Sequence, residues 1–173
     1  SSARMRKSSS AKRTRTRRPC EIRSGQPLNQ RVDPSPELNA EIATEPFHLP
    51  AGPAGCLLLH GFTGTPYDMR FIGAALHGAG ISVRAVRLPG HATSPEDMEA
   101  HSWSDWYAGA RQGLAELRET ASRIVVIGQS MGSLLALKLA AELGDEVNGL
   151  CLLSTALRAS ARWMYWVAPA VPL

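Results

Sequence analysis
Acidic residues are almost missing from the first 31 positions, histidine is missing after position 101, and no apolar run in the 173 residues approaches 18. Each absence excludes something. Without an apolar stretch of that length no helix can cross a bilayer, so no membrane span is expected. Cysteine is scarce: Cys20, Cys56 and Cys151 stand at spacings no metal site uses, and an odd count argues against a disulfide framework. Cys56 and Cys151 lie inside the apolar runs "CLLLH" and "GLCLLS", where a thiol is expected to act as a small buried hydrophobe. This usage points to a reducing, cytoplasmic compartment. Nothing in the sequence calls for a cofactor or a metal.

What is present is unevenly charged. Residues 1–31 carry ten Lys and Arg against Glu21 alone, a balance of +9, while the remaining nine bases and fourteen acids leave −5. The head "SSARMRKSSSAKRTRTRRPC" has too few apolar side chains to offset the entropy of ordering, so a disordered extension is expected over residues 1–39. A solvated extension accounts for it better than a nucleic-acid-binding tail or a transit peptide. A twin-arginine signal is excluded because the polar "PCEIRSGQPLNQ" follows Arg18. Oligomeric state is not legible here.

From about Ala40 the pattern alternates. A short edge strand around Phe47 precedes a Pro/Gly turn (Pro50 to Gly55) and a buried strand at Cys56–His60. Pro66 at a first helical position, with Met69, Ile72 and Leu76 at helical spacing, predicts a helix stopped by Gly78 and Gly80. "ISVRAVRLPG" reads as a strand ending in a loop. Trp103, Trp106, Ala110, Leu114 and Leu117 mark an amphipathic helix opened by a Ser102/Asp105 capping box. Arg123–Ile127 is a strand, Met131–Leu143 a helix and Val147–Ser154 a strand. Alternation of this kind implies βαβ units, hence an α/β fold with a mostly parallel sheet and helices on both faces.

Two motifs carry chemistry. Gly128-Gln129-Ser130-Met131-Gly132 is a G-x-S-x-G placed where the strand "IVVI" turns into the helix "SLLALKLAAEL", the context that makes a nucleophile elbow. There Ser130 is the expected nucleophile, lifted clear of the sheet edge, and Gly128 and Gly132 let strand and helix cross closely. "LLLHGFTGTP" supplies the second motif. Its backbone approaches substrate at Gly61, and the N–H groups of Phe62 and Met131 are the expected oxyanion-hole donors. His60 is expected to fix this loop by hydrogen bonding rather than to act as a base.

With both motifs in place, the stretch from Glu45 to Ser154 resembles the α/β-hydrolase superfamily, and within it the bacterial carboxylesterases and monoacylglycerol lipases. The His-Gly-Phe-Thr-Gly loop, the Leu-Pro-Gly-His segment, "WSDWYAGA" and "GQSMGSLLALKLA" carry the likeness. It implies a serine hydrolase that cleaves small-molecule carboxylic esters through an acyl-enzyme. One departure is Ala92, where the family usually has glycine after Pro89-Gly90-His91; His91 is a loop-fixing residue in that pattern. An acyltransferase, thioesterase or peroxidase on the same fold, or a non-catalytic binding protein with a basic tail, stands as the alternative.

The order in this fold is Ser, then Asp or Glu, then His. After Ser130 the acids are Glu142, Asp145 and Glu146, at the end of the elbow helix, and no histidine follows. The expectation is an N-terminal hydrolase portion over residues 40–155, truncated before the last strands and lacking its catalytic Asp and His. Residues 156–173, "ALRASARWMYWVAPAVPL", would begin a cap or form a terminal helix, with Trp163 and Tyr165 facing substrate.

Overall fold
In the computed structural model residues 44–156 are described; the basic head, Trp163 and Tyr165 lie outside them. Strands β1 (Phe47–Leu49) and β2 (Ala54–Leu59) come first, then a 3-10 turn at Pro66–Met69 that runs into helix α1 (Arg70–Gly78). Strand β3 (Ser82–Val86) is followed by α2 (Pro95–Ala100) and α3 (Trp103–Arg118). Strand β4 (Arg123–Gln129), helix α4 (Met131–Leu143), a 3-10 turn at Gly144–Glu146 and strand β5 (Gly149–Leu153) complete the order.

The sheet order is β1-β3-β2-β4-β5. Among the described residues only β1 runs antiparallel, pairing Phe47 with Ala85; the β2–β3, β2–β4 and β4–β5 ladders are parallel. Strand residues alternate between two cores, as a sheet covered on both faces requires. Leu57, Leu59, Ile124 and Val126 pack with Leu114 and Leu117 of α3 and Leu135 and Leu139 of α4. Cys56, Leu58, Val83, Ala85 and Ile127 pack on the opposite face with Met69 and, from α1, Ile72 and Leu76. On the first of these faces Gly113 lets α3 approach closely, since a Cβ would run into the Val86 side chain and fall 3.2 Å from that of Leu57.

Three expectations need correcting, and one helix was not foreseen. Cys151 is exposed, not buried. It sits on β5, at the sheet edge, where Leu150 and Leu152 are also exposed and, among the described residues, nothing covers the outer side. Trp103, expected on the apolar face of α3, is exposed at the helix start. The first helix opens as a 3-10 turn, because the Thr65–Asp68 capping box closes a tight turn around Pro66 before the α-helix begins. Helix α2, for which there was no expectation, starts from Ser94, whose Oγ accepts the Asp97 N–H at 3.2 Å.

Candidate active site
The chain leaves β2, forms β3 on one side of it, then crosses to the other side to form β4. The carboxyl ends of β2 and β4 therefore flank a topological switch point, where open parallel sheets form their crevices. Leu59 stands opposite Gly128 in the parallel register, so the two chains leave the sheet together. Two residues on, they meet. A Cβ at Gly61 would lie 3.3 Å from the Ser130 Cβ and 4.0 Å from its Oγ.

Ser130 is half-buried and holds φ 50°, ψ −112°, a conformation that costs a serine about 1–3 kcal/mol. Its surroundings over-determine it. The Ser130 N–H donates to Leu153 O at 2.8 Å, and the buried Ser133 hydroxyl donates to Gly128 O at 2.7 Å. The expected close crossing is present: a Cβ at Gly132 would fall 2.5 Å from His60 O, and one at Gly128 would fall 2.5 Å from Gly132 C. Met131 is the first residue of α4, so its N–H has no intrahelical partner and lies at the positive end of the helix dipole.

The second loop is a tight turn. Gly64 N donates to Gly61 O at 3.0 Å, and Thr63 holds φ 59°. The Phe62 N–H, at the first central position, is not used by this turn. His60 is fully buried with both ring nitrogens engaged: Nε2 accepts the Leu88 N–H at 3.1 Å, and Nδ1 therefore donates to Gly61 O at 2.8 Å. Burial drives its pKa down to about 4, so the ring is neutral near pH 7 with its lone pair occupied. It fixes the loop and has no capacity left to take a proton from Ser130.

Sequence reasoning missed how the Phe62 turn is braced. His91 is buried with its ring centroid 4.8 Å from His60 and 6.1 Å from Phe62, and Trp106 of α3 lies 5.8 Å from Phe62 and 5.6 Å from His91. Trp106 Nε1 donates to Pro89 O at 3.1 Å, tying α3 to the loop that carries His91. Helical spacing marked Trp106 as a core residue; no sequence signal showed which loop it holds. Ala92 adopts φ 59°, the left-handed conformation for which glycine is the unstrained residue.

Two of the three acids after Ser130 are committed elsewhere. Glu142 accepts the Tyr107 hydroxyl and pairs with Lys138, and Glu146 pairs with Arg118 at 2.8 Å. Among the described residues no group of His, Cys, Asp and Glu is arranged to hold a metal ion.

A strand-to-helix serine elbow, abutting a glycine turn at the switch point of a mostly parallel sheet, is the framework of an α/β-hydrolase. Residues 53–172 match the Hydrolase_4 family, described as serine aminopeptidase, S33. The chain belongs to this family. It is 42% identical over 113 residues to a thermostable monoacylglycerol lipase of Bacillus sp. (strain H-257), covering 65% of this chain and 45% of that one. A carboxylesterase of Bacillus subtilis (strain 168) is 33% identical over 99 residues, covering 57% of this chain and 40% of the relative. A solved structure of metagenome-derived lipolytic enzymes is 32% identical with a TM-score of 0.67, covering 75% of this chain and 54% of that one. The chain thus spans less than half the length of the curated relatives it matches. No helix among the described residues is long and apolar enough to cross a membrane.

Proposed function
We propose that the protein is a serine hydrolase of carboxylic esters, with substrates of the monoacylglycerol kind. The observation that carries this is the contact between Gly61 and a Ser130 held at φ 50°. Ser130 Oγ attacks the ester carbonyl, and the backbone N–H groups of Phe62 and Met131 receive the developing oxyanion. Collapse of the tetrahedral species releases the alcohol and leaves an acyl-Ser130 that water hydrolyses. An ester is favoured over a peptide because the named relatives described above are a lipase and a carboxylesterase.

Attack requires a base for the hydroxyl proton. The buried His60 has no free lone pair, and no histidine follows Ser130. The proposal assigns base and acid to residues that are not among these 173. Its test is p-nitrophenyl butyrate hydrolysis by residues 1–156 joined to the complementary C-terminal part of the Bacillus sp. lipase. Turnover in the fusion, near-background rates in the 173-residue chain, and loss of at least roughly 10³-fold on Ser130→Ala support it. Turnover that survives Ser130→Ala in the fusion refutes it.

A further inference from the structure
A backbone N–H stabilises an oxyanion only if its peptide is held in place before the charge develops. We propose that Trp106 is a positioning residue for the Phe62 N–H, acting through the Phe62 ring. This deepens the ester-hydrolase reading above and rests on it.

The Phe62 N–H and the Gly61 C=O belong to one planar peptide and point in opposite directions. The oxygen end is fixed twice, by His60 Nδ1 donating at 2.8 Å and Gly64 N donating at 3.0 Å. The other end is the Phe62 Cα, and little packing locates it. Thr63 beyond it is exposed at φ 59°, and 54% of Phe62 itself is exposed. The rings that do meet Phe62 are His91, with centroids 6.1 Å apart, and Trp106, 5.8 Å apart. Both lie within the range of about 4.5–7 Å at which aromatic rings attract.

Trp106 is anchored where Phe62 is not. Ala110, Leu114 and Leu117 bind α3 into the buried core, and Trp106 packs against the same cluster. Trp106 and Gly109, three residues apart, share one face of the helix. Pro89 rests on that face. A Cβ at Gly109 would lie 3.1 Å from Pro89 Cδ, and Trp106 Nε1 donates to Pro89 O at 3.1 Å. The same carbonyl accepts from His91 Nδ1 at 3.1 Å, so one oxygen orients both rings that meet Phe62. His91 Nε2 is buried with no hydrogen-bond partner among the described residues. Phenylalanine at 91 would avoid that desolvated nitrogen, so the cluster gives up stability for a fixed orientation.

Loosening this brace lets the donor drift from the forming oxyanion, so kcat falls while KM holds. The test compares the fusion described above as parent, Trp106→Leu, Phe62→Ala and the double variant. Substrates are p-nitrophenyl butyrate and its thionoester, whose sulfur accepts hydrogen bonds weakly. Outright loss of an oxyanion donor costs about 10²–10³ in kcat, so a displaced one should cost at least about ten-fold on the ester. The proposal expects that loss in Trp106→Leu with KM within about two-fold, and a far smaller loss on the thionoester. In the Phe62→Ala background Trp106→Leu should change kcat by less than about two-fold, because the ring it acts through is gone. An unchanged kcat, equal losses on ester and thionoester, or a loss independent of Phe62 would overturn it. If Trp106→Leu loses the parent's circular dichroism spectrum, Trp106→Phe, which keeps a ring but has no N–H for Pro89 O, is read in the same cycle and should show the same pattern at smaller size. A parent fusion without Ser130-dependent turnover refutes the ester-hydrolase reading and this one with it; an unchanged kcat in an active fusion refutes the positioning role alone.

Discussion

Replacing Gly132 by alanine tests the closest approach in the fold. Its Cβ would stand 2.5 Å from His60 O and 2.8 Å from Leu59 C, atoms of the β2 backbone that cannot rotate away. Real Cβ contacts essentially never fall under 3.0 Å, so α4 must lift from the end of β2 or the strand must bend. Overpacking against side chains that can yield costs about 1–3 kcal/mol, and with backbone on the far side the upper end applies, about 3 kcal/mol. That is a factor of roughly 150 in the folding equilibrium. Gly78→Ala is the matched control: it sits at the end of α1 with nothing within 4 Å of the added methyl. It should be neutral or stabilise by up to about 0.5 kcal/mol, since alanine is the better helix former. Equilibrium urea unfolding of the 173-residue chain reads both, with the m-value confirming that the unfolded surface is unchanged. A Gly132→Ala midpoint within error of the parent would refute the claim that the elbow helix and β2 cross at this distance.

Three further outcomes follow from the same geometry. Ala92→Gly removes a left-handed strain of about 1–2 kcal/mol and adds unfolded-chain entropy of about 0.5–1 kcal/mol, so unfolding should show a net gain of roughly 0.5–1 kcal/mol. His60 takes a proton below its ordinary 6.5 when unfolded but only near 4 when folded, so the folded state binds fewer protons in that window. Stability is then complete above pH 6.5 and falls by roughly 3 kcal/mol as pH drops from 6.5 to 4. Urea titrations across this range should show that slope, steepened in the same sense by His48, whose pKa burial and Arg84 also lower, and reduced in His60→Gln. In a Cys20→Ser background Cys151 should react with a thiol reagent in the folded chain, while Cys56, buried and with its pKa raised by that burial, should react only on unfolding.

Much of this was legible because long apolar periods and turn residues agree. "IVVIGQSMGSLL" could be placed as strand, elbow and helix because its glycines fall where a strand must pass a helix, and the close crossing and the positive φ of Ser130 follow from that geometry. The His60 loop was legible for the same reason, as the end of an apolar run. Helix α2 was not, although Ser94 and Pro95 are a helix-start pair: it buries no residue, so it leaves no apolar period to read. The exposure of Cys151 was hidden because an apolar strand reads alike at the centre and the edge of a sheet. Trp106 was assigned to the core by its spacing, but its hydrogen bond to Pro89, 17 residues upstream, is a property of the assembled chain.

The central claim is that Ser130 is the nucleophile, and covalent labelling tests it most directly. Residues 1–156 fused to the C-terminal part of the Bacillus sp. lipase would be treated with a fluorophosphonate and digested, and the adduct located by mass spectrometry. The adduct is predicted on the peptide that contains Ser130, with both labelling and ester turnover lost in Ser130→Ala. An adduct on any other residue of these 156, or turnover that persists without the Ser130 hydroxyl, would contradict the account.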